Sequence, residues 1–325
     1  QPDRSRGAGR RLSVPDYEPM LATSWRTAFD DPDWWFEVKW DGYRAILSTS
    51  AGKLKARSRR GLDLLKTFPE LGGLDLPPDV AIDGEVVAFD EEGRPSFSLL
   101  QQRSGFAGAA TGSKVFVNFV AFDLLFQGRD LIVAPYVERR GALMELRLPS
   151  PIVVPEATPG TGIALFEAAK EAGLEGIVAK RSGSHYLPGR RSPDWRKVAV
   201  RHRLRAVVGG YLPGEGSRAA TFGSVLVGLH DDLGLRWIAA VGSGFNEGSL
   251  TGFAEALTEL ERPTSPFHNE VVIPGPGKPT WVEPGIVVEV EYKEWTHDLH
   301  LRAPVYKGIA MIDPALVNWD EEGPG

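Results

Sequence analysis

The residues best suited to chemistry lie in one short stretch, Glu37-Val38-Lys39-Trp40-Asp41-Gly42-Tyr43-Arg44. Its pattern, Lys-x-Asp-Gly-x-Arg, gathers an amine nucleophile, a carboxylate and a guanidinium of the kind that reads phosphate. The apolar runs Trp34-Trp35-Phe36 and Ala45-Ile46-Leu47 flank it, which places the lysine at a strand end. Lys39 and Asp41 are two apart, so in extended backbone they share a side, and Gly42 allows a tight turn. A surface hairpin with scattered charges could carry the same residues, so the rest of the chain has to decide.

Further charges fall inside or beside apolar strands. Glu85 sits in Ile82-Asp83-Gly84-Glu85-Val86 and Asp123 in Val120-Ala121-Phe122-Asp123-Leu124-Leu125. Glu175 and Lys180 bound Glu175-Gly176-Ile177-Val178-Ala179-Lys180, and Lys197 follows Trp195-Arg196. A charge in such a place is costly unless it is paired or holds a ligand. Several strands of this kind together imply a polar cleft lined by sheet.

The elements that must position these residues are mostly strands. Trp34 to Arg59 alternates as two or three strands around a turn at Ser50-Ala51-Gly52, and Leu62 to Leu71 reads as a short helix. Val80 to Phe89 and Val115 to Leu125 read as strands, Pro95 to Gln102 as a helix start, and Tyr136 to Leu146 as a helix. Gly162 to Ala172 reads as another helix, capped by Gly173. Gly176 to Lys180 and Trp195 to Val200 close this portion. Beyond it, Val207 to Tyr211, Ser224 to Leu229, Arg236 to Val241 and Ile286 to Tyr292 are short strands between Gly and Asp turns, with one helix at Leu250 to Leu260. That pattern predicts a small β-barrel. The expected fold class is therefore an α+β domain of antiparallel sheets with helices over 17–202, then an all-β barrel over 203–320. Residues 1–16 are expected to form a flexible lead-in and 321–325 a tail.

Composition fits this plan. The 325 residues are 42% hydrophobic and 25% charged, enough for two ordinary cores of a globular protein. The absence of cysteine excludes disulfides, cysteine zinc sites and thiol nucleophiles, and fits an intracellular protein. No apolar run approaches the roughly 18 residues of a membrane span, and none of signal-peptide length follows Arg4, Arg6, Arg10 and Arg11. A net charge of −6 argues against a protein that coats nucleic acid. Yet Lys53, Lys55, Arg57, Arg59 and Arg60 crowd one stretch, and Arg190, Arg191, Arg196, Lys197, Arg201, Arg203 and Arg205 another. Acidic residues gather elsewhere, so the pattern fits a basic cleft on an acidic body or, for either cluster taken alone, a solvated face.

In chain order, Lys39 to Arg44, Ser58-Arg59-Arg60-Gly61, Asp83-Gly84-Glu85-Val86-Val87, Ala121 to Leu125, Glu175 to Lys180 and Trp195-x-Lys197 resemble the nucleotidyltransferase motifs of ATP-dependent DNA ligases. Glu18 to Ala22, Val208-Gly209-Gly210-Tyr211, Ser265-Pro266-Phe267 and Glu294-Trp295-Thr296 resemble the bacterial end-joining ligases of the ligase C and ligase D type. The resemblance covers residues 18 to 310. It implies a nucleotidyltransferase (adenylation) domain followed by an OB-fold barrel, and an enzyme that makes phosphodiester bonds in DNA repair and recombination by non-homologous end joining.

The resemblance also assigns roles. Lys39 attacks the α-phosphate of ATP to form lysyl-AMP, with Asp41, Arg44 and Lys197 in the catalytic group. A free lysine amine is mostly protonated at neutral pH, so such a site needs nearby cations. Arg44 and Arg59 read ribose or phosphate, Phe122 stacks on the adenine, Glu37 lies near its amino edge, and Lys180 and Lys197 counter the α-phosphate charge. Glu85 and Glu175 are hard oxygen ligands suited to Mg²⁺ or Mn²⁺. AMP then passes to a DNA 5′-phosphate, and a 3′-hydroxyl displaces it to seal the nick. The implied partners are nicked or broken double-stranded DNA, bacterial Ku and an end-joining polymerase, for a cytoplasmic, nucleoid-associated monomer without membrane contact. Two departures stand out: Ala199 replaces a second lysine, and Ile309-Ala310-Met311-Ile312-Asp313-Pro314 lacks the Arg and Lys of the C-terminal motif. An RNA ligase, a capping-type nucleotidyltransferase and a catalytically impaired DNA-end-binding module remain as alternatives.

Overall fold

The computed structural model describes residues 13–91, 93–103, 115–218, 221–273 and 277–324. Of the expected lead-in, residues 1–12 lie outside the described residues, whereas Val14 packs against the buried cluster that contains Met20, Tyr186 and Trp195. The chain divides into two compact units, residues 1–200 and 201–325.

In chain order the first unit holds β1 (Leu21–Ser24), β2 (Asp30–Val38), β3 (Tyr43–Ser50), β4 (Lys53–Ser58), β5 (Val80–Ala88), α1 (Phe97–Arg103), β6 (Val117–Gln127), α2 (Tyr136–Glu145), β7 (Ile152–Val153), β8 (Thr158–Thr161), α3 (Gly162–Glu171), β9 (Gly176–Arg181) and β10 (Arg191–Ala199). They build two five-stranded sheets, one ordered β1-β10-β9-β2-β8 and the other β4-β3-β5-β6-β7. Pairing is antiparallel except for β1 with β10 and β6 with β7. Valine, isoleucine and aromatic residues are concentrated in β2, β5 and β6, because a branched or flat side chain fits a pleated, half-buried surface. The helix at α3 ends as its sequence predicts, since Gly173 adopts φ +68°, a left-handed conformation that costs glycine nothing.

One expected element differs. Leu62 to Leu71 forms no α-helix; Asp63 bridges back to Arg57, the Leu64 N–H donates to the Ala56 carbonyl at 2.9 Å, and only Pro69–Gly73 coils, as a 3₁₀ turn. Pro69 has no N–H to continue a helix, and the preceding residues extend the pairing of β4 instead.

The second unit contains β11 (His202–Pro213), β12 (Phe222–Asp231), β13 (Gly234–Val241), α4 (Glu247–Glu259), β14 (Glu261–Arg262), β15 (Thr280–Tyr292), β16 (Val305–Ala310) and α5 (Trp319–Glu322). Six strands in the order β13-β12-β11-β15-β14, with β16 on the free side of β15, curl into the partial barrel of an OB-fold. Leu250, Phe253 and Leu257 of α4, spaced three and four apart, bury one stripe in the barrel core. Its basic residues are largely engaged: Arg203 and Lys307 lie 3.6 and 3.2 Å from Glu291, and Arg205 is 2.5 Å from Glu322. Glu322 belongs to α5, so part of the segment expected as a tail is structured. Among the described residues no helix is long and apolar enough to cross a membrane.

The most constrained point of the first unit is a carboxylate pair. Asp83 on β5 and Asp123 on β6 are direct cross-strand partners, both fully buried. Arg139 of α2 holds Asp123 through two bonds of 2.8 and 2.9 Å and is itself fully buried. Replacing Asp123 by alanine strands that guanidinium, and unfolding in urea followed by circular dichroism will show a loss of about 3–5 kcal/mol.

Candidate active site

Strand register assembles one wall of the site. On β9 and its two neighbours, Glu37 pairs with Val178 and Lys197 with Val178, while Trp35 and Trp195 both pair with Lys180. Paired residues share a face and side chains alternate along a strand, so Glu37, Val178, Lys180, Trp195 and Lys197 project together. The facing wall comes from the second sheet, where Arg44 on β3 pairs with Glu85 on β5. A bulge on β6 leaves Phe122 without a partner between the pairs Gly84–Ala121 and Asp83–Asp123. Val120 pairs with Glu85, so alternation along β6 puts Phe122 on the Glu85 face, and the extra residue lets Asp123 stand opposite Asp83 on that face as well.

Between the walls lies a cavity of about 230 Å³ lined by Glu37, Lys39, Arg44, Arg59, Glu85, Phe122, Lys180 and Lys197 among the expected site residues. Met20, Val178, Arg191 and Trp195 complete its chemistry. Glu175 is not part of this lining but ion-pairs with Lys39, whose N–H also donates to the Gly176 carbonyl at 2.8 Å. Asp41 lies outside the lining, on the turn that follows Lys39. Gly42 in that turn has no positive φ. It is required because a Cβ there would stand 2.1 Å from the Val86 carbonyl oxygen. Sequence reading missed Arg191, Trp195 and Met20 as site residues. Trp195 was accessible in principle, being two residues from Lys197 on one strand face.

Electrostatically the cavity has distinct parts. At one end Lys180, 1% exposed, lies 2.8 Å from the Glu37 carboxylate, which also accepts a hydrogen bond from the Tyr136 hydroxyl. Burial pushes the Lys180 amine down and Glu37 opposes it; burial and then Glu37 push the Tyr136 phenol well up. Aromatic rings surround the ammonium, with Trp195, Phe122 and Tyr136 centroids at 4.4, 4.6 and 5.1 Å. The Phe122 ring expected to stack on a base is thus already bordered by Lys180 and, at 4.5 Å, by the Arg44 guanidinium. Arg44 is bound to Asp83 by two bonds of 2.6 Å, so burial, which lowers its proton affinity, is outweighed by that carboxylate.

Glu85 is the carboxylate left without full compensation. Burial raises it to about 8, against the pull of Arg44 and Lys39. With Glu175 it supplies two hard oxygen donors, and no group of three or more acidic or histidine residues among the described residues forms a complete metal cage. This donor set fits a divalent cation that also takes oxygens from phosphate and water.

Two family descriptions match: the ATP dependent DNA ligase domain over residues 19–199 and the ATP dependent DNA ligase C terminal region over 218–311. The chain belongs to the ATP-dependent DNA ligases. Among its ligase relatives, the multifunctional non-homologous end joining DNA repair protein LigD of Mycobacterium tuberculosis is 38% identical over 300 residues, 90% of this chain. The match spans only 38% of LigD's length. The SPbeta prophage-derived DNA ligase-like protein LigB of Bacillus subtilis is 34% identical over 195 residues, 59% of this chain and 71% of its own. A solved structure described as mycobacterial DNA ligase D complexed with ATP and MES is similar at 35% identity and a TM-score of 0.52, covering 93% of this chain and 97% of that one.

A carboxyl whose folded pKa lies above its unfolded value binds more protons folded than unfolded, so its contribution to stability is present below the unfolded value and lost as pH rises through the folded one. For Glu85 that loss falls between about 4.5 and about 8. In metal-free buffer, unfolding free energies measured across this range will fall less steeply for Glu85→Gln than for the parent chain.

Proposed function

We propose that the chain is the ligase module of an end-joining DNA repair system, using Lys39 as the nucleophile that carries AMP. The observation that carries this reading is the placement of Lys39, ion-paired to Glu175, in a cavity whose lining also includes the cations Arg44, Arg59, Arg191 and Lys197. An amine ringed by cations suits attack on a polyphosphate. The relative solved with ATP supports ATP as the donor.

The Lys39 amine attacks the α-phosphorus of ATP, a nitrogen–phosphorus bond forms, and the bond to pyrophosphate breaks. Glu175 holds the amine and is placed to take its proton. Arg44, Arg59, Arg191 and Lys197 face the phosphates, Phe122, Trp195 and Val178 enclose the adenine, and Glu37 with Lys180 closes its far end. Mg²⁺ or Mn²⁺ held by Glu85 and Glu175 would neutralise phosphate charge. AMP next moves to a DNA 5′-phosphate, and a 3′-hydroxyl displaces it to seal the strand. The name of the mycobacterial relative supports an end-joining role; this reading adds Ku and an end-joining polymerase as partners, in the cytoplasm at the nucleoid. Asp41, on the turn beside Lys39, would act by holding that turn.

With radiolabelled ATP the wild-type chain will retain covalent AMP in Mg²⁺ or Mn²⁺, and Lys39→Ala will retain none. An unlabelled wild-type chain in both metals would replace this reading with an end-binding module. Ala199 stands two residues past Lys197 on β10, opposite Gly176, so a lysine there would extend the row of cations. Ala199→Lys is expected to speed self-adenylation about tenfold, while sealing of a pre-adenylated nick changes less than twofold. Equal acceleration of both steps would show that the missing cation does not limit AMP capture.

A further inference from the structure

Tyr186 lies on the connection between β9 and β10 and is 1% exposed. Its ring meets Trp195 edge to face at 5.7 Å, a packing role phenylalanine would fill as well. The hydroxyl does something else. It accepts the Met20 N–H at 2.8 Å and donates to Asp83 Oδ2 at 2.5 Å. Asp83 in turn grips Arg44 through both carboxylate oxygens, and Arg44 Nη2 reaches the Met20 carbonyl at 3.4 Å.

These bonds close a ring: Met20 backbone, Tyr186, Asp83, Arg44, and Met20 again. Met20 and Arg44 line the cavity, while Tyr186 and Asp83 are buried behind it. Arg44 has a rival acceptor, because Glu85 is its direct partner across β3 and β5. A guanidinium that swung to Glu85 would leave the phosphates and occupy the carboxylate available to a cation. What prevents this is the orientation of Asp83, and the Tyr186 hydroxyl fixes that orientation by donating to Oδ2, the oxygen that Arg44 Nη2 also engages.

We propose that Tyr186 is a positioning residue which, through Asp83 and the Met20 backbone, holds the Arg44 guanidinium toward the nucleotide and away from Glu85. The inference rests on the assignment of the cavity as an ATP site. It makes Arg44 half of a preformed pair rather than a mobile surface arginine, so the nucleotide meets a site whose ordering entropy has already been spent.

The test is a double-mutant cycle in the full chain, read by covalent AMP formation against ATP concentration. Tyr186→Phe will raise the half-saturating ATP concentration about five- to tenfold and change the saturating rate less than twofold. In an Arg44→Ala background the same substitution will have no further effect, because the residue it acts on is gone. Asp83→Asn, which keeps the side-chain shape, will show the same non-additivity with Arg44→Ala, so the proposal survives if one variant folds poorly. Independent, multiplying effects of Tyr186→Phe and Arg44→Ala would overturn the proposal, as would an unchanged ATP dependence for Tyr186→Phe. A wild-type chain that takes no label would overturn the ATP-site assignment itself, and this inference with it.

Discussion

Two buried carboxylates facing each other across adjacent strands form the interaction on which the first unit depends. Asp83 and Asp123 would repel directly if left alone. Each has a bidentate arginine instead, Arg44 from β3 on one side and Arg139 from α2 on the other. The two guanidiniums serve different ends. Arg139 is wholly buried and ties α2 to the sheet; Arg44 remains partly open to the cavity. One electrostatic requirement thus fixes a helix on one side and a cavity-lining cation on the other.

Lys39, the proposed nucleophile, is placed by backbone as much as by charge. The Lys39 N–H is bonded to Gly176, its ammonium to Glu175, and the turn after it presses Gly42 against β5. These contacts link β2, β9 and β5, strands drawn from both sheets. A lysine held by its main chain loses less freedom when it reacts than one at the tip of a loop.

Much of this was legible in the sequence. Charges inside apolar strands pointed to a lined cleft because an unpaired charge cannot persist there, and eight of the expected residues do line one cavity. What was not legible depended on pairing between distant strands. The bulge at Phe122 shifts the parity of β6, and no local pattern announces it. Arg191 read as one member of a basic run, yet its strand position places it in the cavity, whereas Arg196 one face away is caged by Trp25 and Trp34 at 4.0 and 4.3 Å. Leu62 to Leu71 had helical spacing, but a tertiary bond from Leu64 to Ala56 and the proline at 69 decided otherwise. Tyr186 carried no signal at all, since its role is defined by partners 103 and 166 residues away in sequence.

The paired cations of the second unit bear on how it would meet a polyanion. Arg203, Arg205 and Lys307 already have glutamate counter-charges within the fold. A phosphate backbone arriving there would exchange one carboxylate partner for another anion, with fewer condensed counterions set free than the tally of basic residues implies. Affinity contributed by this surface should therefore decline gently with ionic strength, and discrimination between strands would rest on shape more than on bulk charge.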